Sequence, residues 1–336
     1  MIELLIFTIV MALAFDFING FHDSANAIST IVATRVLTPM QAVSMAAIGN
    51  LIGPLFFTTA VAATIGKGII DTKVIQTILP QDTFIGMILA ALIGAIVWDI
   101  ITWYFGIPVS SSHALIGGLI GAATMAVGPK ILLFDGIGKV LLFIVVSPLL
   151  GFLAAFLFAL VLMRTFRKNA PEKINKWFRK LQIGSALFYS ITHGTNDAQK
   201  TMGIITILLI GSGFLTEFIV PLWVILACHI SICLGTWLGG WRIVKTMAHK
   251  ITQLRPYQGF CAETAGGVVL VYMASIGIPV STTHAIAGAI MGVGSTKNPK
   301  SVRWGLSRNI VLAWIITIPF SAMVGGLAFM IVHYFV

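Results

Sequence analysis

Two carboxylates lie where a charge is costly. Asp23 sits in Gly20-Phe-His-Asp-Ser-Ala-Asn26 and Asp197 in His193-Gly-Thr-Asn-Asp-Ala-Gln-Lys200, each inside a long apolar stretch and 174 residues apart. A carboxylate at the centre of a bilayer costs roughly 2.5–3.5 kcal/mol on insertion scales, so each should face a partner or a water-filled cavity. Carboxylate, amide and backbone oxygens, as these motifs offer, suit a hard cation such as sodium. The plain structural alternative is that both aspartates only bond to neighbouring helices.

A second duplicated signal has the opposite chemistry. Ile107-Pro-Val-Ser-Ser-Ser-His-Ala114 recurs 171 residues on as Ile278-Pro-Val-Ser-Thr-Thr-His-Ala285, with Gly117 and Gly121 matched by Gly288 and Gly292. A Pro near a helix start needs no amide partner, a following hydroxyl caps, and the free N–H groups there attract anions. Two such ends could grip a tetrahedral oxyanion through Ser110, Ser111, Ser112, Ser281, Thr282 and Thr283. For any one hydroxyl, ordinary capping competes with that role. His113 and His284 follow the triplets, and bonding an anion, carrying a proton and simple packing all fit them. Lys200 stands where the first motif has Asn26. Pairing with Asp197, offsetting substrate charge and snorkelling to an interface are its three readings. Glu263 is read as a cation ligand, a proton carrier or a packing residue. Asn50 is a further polar outlier, and Asp16 and Asp99 receive no role.

These residues need elements to hold them, and composition says which. With 58% hydrophobic and 10% charged residues and a mean hydropathy of +0.99, the 336-residue chain has too few charges to solvate a globule of its size and belongs in a bilayer. The net charge of +10 does not indicate nucleic acid, because the basic residues cluster at 164–180, 242–255 and 297–308, as cytoplasmic loops do. Residues 1–15 lack a basic n-region and a small-residue cleavage site and are read as retained. Cys228, Cys233 and Cys261 have no metal-ligand spacing, so neither a disulfide framework nor a bound cofactor is expected.

Apolar stretches at 2–30, 40–63, 84–105, 108–128 and 138–163, then 183–212, 219–241, 259–276, 279–294 and 309–335, give five per half. The expected fold is an all-α integral membrane protein of about 10–12 transmembrane or half-membrane helices, with broken helices at 108–128 and 279–294 near the midplane. An odd number of passes per half makes the repeats inverted, an architecture that builds a site near the midplane and supports alternating access. The expected organisation is a first repeat over 1–163, a basic cytoplasmic linker over 164–182, and a second repeat over 183–336, with both termini outside. A weaker match aligns Gly53–Thr64 with Gly235–Thr246.

Together these motifs resemble the inorganic phosphate transporter family of sodium- or proton-coupled permeases, over almost the whole chain. The paired Gly-x-Asn-Asp-x-x-Asn type motifs, the Pro-Val-Ser-x-x-His segments and Gly259-Phe-Cys-Ala-Glu263 carry the resemblance. It implies secondary transport of inorganic phosphate across the cell membrane, with sodium at Asp23, Asn26, Asn196 and Asp197 and phosphate at the two hydroxyl triplets, Gln199 and Lys200. Glu263 and His22 are the coupling candidates. Three departures bear on the coupling ion: His22 for an expected Asn, Lys200 for the last Asn of the second motif, and Asn50 for a Glu seen in eukaryotic-type members.

Sodium answers an electrostatic problem, since two buried aspartates alone would repel phosphate. Sodium binding first would create the anion site, and a half-loaded site would resist crossing the midplane. The competing readings are a proton-coupled permease, a carrier of a metal–phosphate complex, a sulfate permease and a passive anion channel. An intramembrane hydrolase is disfavoured because Ser112 and His113 are adjacent in sequence, which does not build a nucleophile–base–orienter triad. A homodimer is compatible with the pattern but not required by it.

Overall fold

Inside a bilayer every backbone polar group must be satisfied within the protein, so apolar stretches of this length can persist only as helices. The computed structural model describes residues 1–55 and 59–336, and among these every expected stretch is built mainly of helix. The first half holds α1 (Ile2–Ala33), α2 (Pro39–Ile52), α3 (Ala60–Gly68), α4 (Thr72–Ile78), α5 (Gln81–Phe105), α6 (Ser111–Val127) and α7 (Phe134–Thr165). The second holds α8 (Pro171–Gly211), α9 (Leu222–Leu238), α10 (Trp241–His249), α11 (Pro256–Ser275), α12 (Thr282–Ser295) and α13 (Trp304–Phe335). This is an all-α membrane fold with several spanning helices. Helices α1, α5, α7 and α13 are each long and apolar enough to cross, while α2 with α3 and α9 with α10 form spans bent by 86° and 68°. Part of the Gly53–Thr64 repeat match, residues 56–58, lies outside the described residues.

The short helices that carry the hydroxyl triplets begin as their sequences dictate. Gly106 and Gly277 adopt positive φ (67° and 69°) just before each Ile-Pro-Val, a turn that a side chain would strain. Ser110 Oγ then accepts from the His113 amide at 3.4 Å, and Ser281 Oγ accepts from the His284 amide at 3.2 Å, starting α6 and α12. At 17 and 14 residues these helices are about 26 and 21 Å long, short of the roughly 30 Å hydrocarbon core.

Both halves run through the same order: a motif-bearing helix, a bent pair, a straight helix, a short hydroxyl-capped helix, and a long helix with an internal proline, Pro148 in α7 and Pro319 in α13. The halves also exchange partners. Helix α6 packs on α13 and α12 on α7; α1 packs on α9 and α2 on α8. The matched glycines make these contacts close, because a Cβ on Gly117 or Gly121 would overlap the carbonyls of Ile318 and Ala322, and one on Gly288 or Gly292 those of Pro148 and Phe152.

The segment read as a linker has no independent existence. Residues 171–182 form the first turns of α8, which continues unbroken for 41 residues into the second motif. Its basic face meets other basic segments at one end of the molecule. Arg179 Nη2 donates to the Arg35 carbonyl at 2.8 Å, the Arg303 amide donates to the Ile251 carbonyl at 3.0 Å, and one cleft is lined by Arg167, Arg255 and Lys297. At the other end the Met1 ammonium lies 3.8 Å from Asp82 Oδ1, and Gly86, one turn further along α5, abuts Val332 and Val336.

Replacing Gly121 by Leu should push α6 off α13, costing at least about 1–3 kcal/mol by overpacking. Lower yield of monodisperse protein and a lower melting temperature in detergent are the expected results; wild-type stability would refute the close packing described.

Candidate functional site

The two aspartates meet. Asp23 on α1 and Asp197 on α8 are 2% and 0% exposed, and one ligand atom each from Asp23, His193 and Asp197 lies within 4.8 Å of the others. Such proximity of two carboxylates inside a protein is repulsive unless cations or protons intervene. Side chains on both helices and on α12 gather around them.

On α1, His22 Nδ1 lies 2.8 Å from Asp23 Oδ1 and His22 Nε2 3.1 Å from Thr102 Oγ1. The Thr102 hydroxyl also lies 3.0 and 3.1 Å from the carbonyls of Trp98 and Asp99, and its single proton serves one of these carbonyls or His22 Nε2. On α8, Lys200 Nζ is 2.7 Å from Asp197 Oδ1 and His193 Nε2 is 3.2 Å from Asp197 Oδ2, close ionic contacts without full hydrogen-bond alignment.

Helix α12 closes the site. Asn26 Nδ2 donates to Thr283 Oγ1 at 2.9 Å and to Thr282 Oγ1 at 3.3 Å, while Thr282 reaches Asp197 Oδ2 at 3.3 Å and Thr283 reaches Asp23 Oδ1 at 3.4 Å. One helix N-terminus thus touches both carboxylates. Helix α6 arrives at the same place: the rings of His113 and His284 are 4.9 Å apart, centroid to centroid. Its hydroxyls are differently placed, for Ser111 and Ser112 are buried and their Oγ atoms have no hydrogen-bond partner. Caps at Ser110 and Ser281 leave the first amides of both helices without helical acceptors. Uncommitted hydroxyls and amides at two converging N-termini have the chemistry an anion requires, and Asn26 Oδ1 and Asn196 Oδ1, buried and likewise unpartnered, are oxygens of the kind a hard cation takes.

Other expected residues are engaged elsewhere. Gln199 Oε1 accepts from the amides of Val61 and Ala62 at 2.8 and 3.2 Å, and its Nε2 donates to the Thr195 carbonyl at 3.2 Å, so its side chain caps α3. Glu263 is buried in α11 and accepts from Thr30 Oγ1 at 2.6 Å, Gln182 Nε2 at 2.9 Å and Ser185 Oγ, a satisfied carboxylate that ties α11 to α1 and α8. Gly259 makes room for Gln182, since a Cβ there would strike its amide.

His193 was missed as a site residue, although its place one turn before Asp197 could have signalled it. Asn50 holds it: Oδ1 lies 3.4 Å from His193 Nδ1, while Nδ2 donates to Thr236 Oγ1 at 2.7 Å. His284 is fixed by a 3.9 Å stack on Trp314, whose Nε1 donates to the Pro108 carbonyl at 2.9 Å. Asp16 and Asp99 are fully buried with neither carboxylate oxygen hydrogen-bonded.

The two ends of the site differ in closure. A cavity of about 570 Å³ between Gly68, Asp135 and Lys139 reaches Gly277, Ile278 and Pro279, the turn that leads into α12. The equivalent turn before α6 is covered by α10, where Gly106 abuts the Arg242 carbonyl and Arg242 Nη1 donates to the Tyr104 carbonyl at 2.6 Å.

Residues 19–325 match the model of the phosphate transporter family, a range that holds both aspartate motifs and both hydroxyl segments. The chain belongs to the phosphate transporter family. It is 52% identical over 327 residues to a probable low-affinity inorganic phosphate transporter of Rhizobium meliloti, covering 97% of this chain and 96% of that one. It is 44% identical over 331 residues to a protein of the same description from Bacillus subtilis, covering 98% and 97%. Among solved structures, one described as the sodium-dependent phosphate transporter superposes with a TM-score of 0.88 at 24% identity, over 99% of this chain and all of that one, which establishes the shared fold. Membership in a family of transporters removes the hydrolase reading: the protein is a multi-pass transporter, not an enzyme.

Asp197→Asn should strand the Lys200 ammonium in a buried site at a cost of about 3–5 kcal/mol, and the double variant Asp197→Asn/Lys200→Asn should recover most of it. Thermal unfolding in detergent reads both; equal destabilisation in the single and double variants would show that the pair is not coupled. Gln199→Ala should cost about 1 kcal/mol through the lost α3 cap, read in the same assay.

Proposed function

We propose that this family member imports inorganic phosphate across the cell membrane by symport with sodium. The observation that carries the reading is the convergence of Asp23, Asp197 and His193 within 4.8 Å, beside the hydroxyl-bearing N-termini of α6 and α12. The empty pair repels phosphate. Sodium among Asp23, Asn26, Asn196 and Asp197 offsets the carboxylate charge, since at 4 Å and an effective dielectric of 20 each unit charge is worth about 4 kcal/mol, and the helix N-termini then dominate the field an anion meets. Ser111, Ser112, Thr282 and Thr283 with the first amides of their helices then hold the phosphate oxygens. Coupling follows from the cost of carrying unpaired buried charge across the midplane.

Repeated element order and reciprocal packing support two inverted repeats around this site, with motion of one part against the other giving alternating access. The basic end of the molecule is assigned to the cytoplasm, which places both termini and the cavity near Pro279 outside. The relatives described as probable low-affinity inorganic phosphate transporters, and the structure described as a sodium-dependent phosphate transporter, agree with this substrate and this ion.

One observation favours a second reading. His22 Nδ1 lies 2.8 Å from Asp23 Oδ1, a contact along which a proton-coupled carrier would pass a proton between imidazole and carboxylate. Radiolabelled phosphate uptake into proteoliposomes under an inward sodium gradient, a proton gradient and no gradient decides between them. Accumulation driven by sodium and unaffected by excess sulfate is expected, and Asp23→Asn should lower it by about 100-fold or more, in keeping with the charge estimate above, while membrane insertion is retained. Uptake driven by protons alone would overturn sodium symport, and sodium-driven uptake at wild-type rate in Asp23→Asn would overturn the site.

A further inference from the structure

Among the described side chains, Lys200 is the one Lys or Arg that is buried; the others are exposed. It stands at the repeat position of Asn26, with the same 174-residue offset that relates Asp197 to Asp23. The two carboxylates therefore have unequal company. Asp23 faces His22, Thr283 and, one turn on, a neutral amide; Asp197 likewise faces His193 and Thr282, but in place of the amide it has the Lys200 ammonium at 2.7 Å. Nothing else in the second motif needs that charge, and Lys200 makes no hydrogen bond to α6 or α12. Its long stem places Nζ beside the carboxylate, where a bound ion would sit.

We propose that the Lys200 ammonium is a tethered cation, filling at Asp197 the position that a transported cation takes at Asp23, so that this transporter moves one coupling cation fewer per phosphate than the same site would with an amide at position 200. The proposal rests on the coupled-transport reading above. Its logic is charge balance. Asp23, Asp197 and Lys200 together carry one net negative charge, and removing the ammonium leaves two; a site that crosses the midplane only when neutralised then recruits one more mobile cation. Lys200 is thereby a determinant of stoichiometry and of how steep a phosphate gradient the protein can sustain.

The test compares wild type with Lys200→Asn, Lys200→Gln and Lys200→Arg in proteoliposomes at zero membrane potential, finding the phosphate gradient that just balances an imposed tenfold sodium gradient. Each added sodium multiplies that balancing gradient by about tenfold. The amide variants should sustain a phosphate gradient about tenfold steeper than wild type, with the arginine variant unchanged. The same balance point in wild type and a transporting amide variant overturns the proposal, as does an arginine variant that behaves like the amides. If the amide variants bind but do not transport, radiosodium binding in the presence of phosphate should rise by one ion per chain, and equal binding overturns it too. Absence of sodium dependence in the wild type would instead refute sodium symport, and the comparison repeated with proton gradients would still count the extra cation.

Discussion

Everything in this molecule answers to the cost of keeping Asp23 and Asp197 in a bilayer. An ionised carboxylate in hydrocarbon is tolerated only where other polar groups or ions meet it, and here the fold arranges that meeting from three helices, α1, α8 and α12. The broken spans follow from the same demand. A continuous helix offers no free amide at membrane depth, whereas α6 and α12 start inside the protein and turn their N-terminal groups toward the aspartates. Asn50, Trp314 and Gln199, which touch neither proposed ligand, hold His193, the α6 and α12 turns and α3 in place around that point.

Local chemistry was legible because it was written twice. Asp23 and Asp197, the two hydroxyl triplets and the matched glycines are short segments whose duplication singles them out, and the structure brings the carboxylates and Thr282 and Thr283 together. Helix starts were legible for a related reason, since Gly, Pro and Ser fix the backbone within a few residues. Relationships between distant residues were not. Gln199 reads as a polar group in a motif, but its amide is consumed by α3, more than 130 positions away. Glu263 reads as a stray charge, yet three donors from α1 and α8 satisfy it. The basic run at 164–182 resembles a loop by composition, and only its fusion with α8 shows that its Pro171 opens a helix instead of ending one.

Duplication has not produced equal halves. Thr282 and Thr283 of one triplet reach the carboxylates while Ser111 and Ser112 of the other are uncommitted, only one aspartate has a lysine beside its histidine, and one Ile-Pro-Val turn adjoins a cavity while its counterpart is covered. A symmetric site would bind its ligands equally from either direction. These inequalities make the surroundings of the two aspartates chemically distinct, although the element order repeats.

The exchange of packing partners also governs how the chain is made. Helix α6 rests on α13, the last element of the sequence, and α12 rests on α7 from the first half. As synthesis proceeds from the N-terminus, α6 and its buried serines must wait in the membrane without their main support until some two hundred further residues have been inserted. Quality control of this protein is thus deferred to its final helix, and a chain truncated by even that one element would leave the oldest half of its ligand site unsupported.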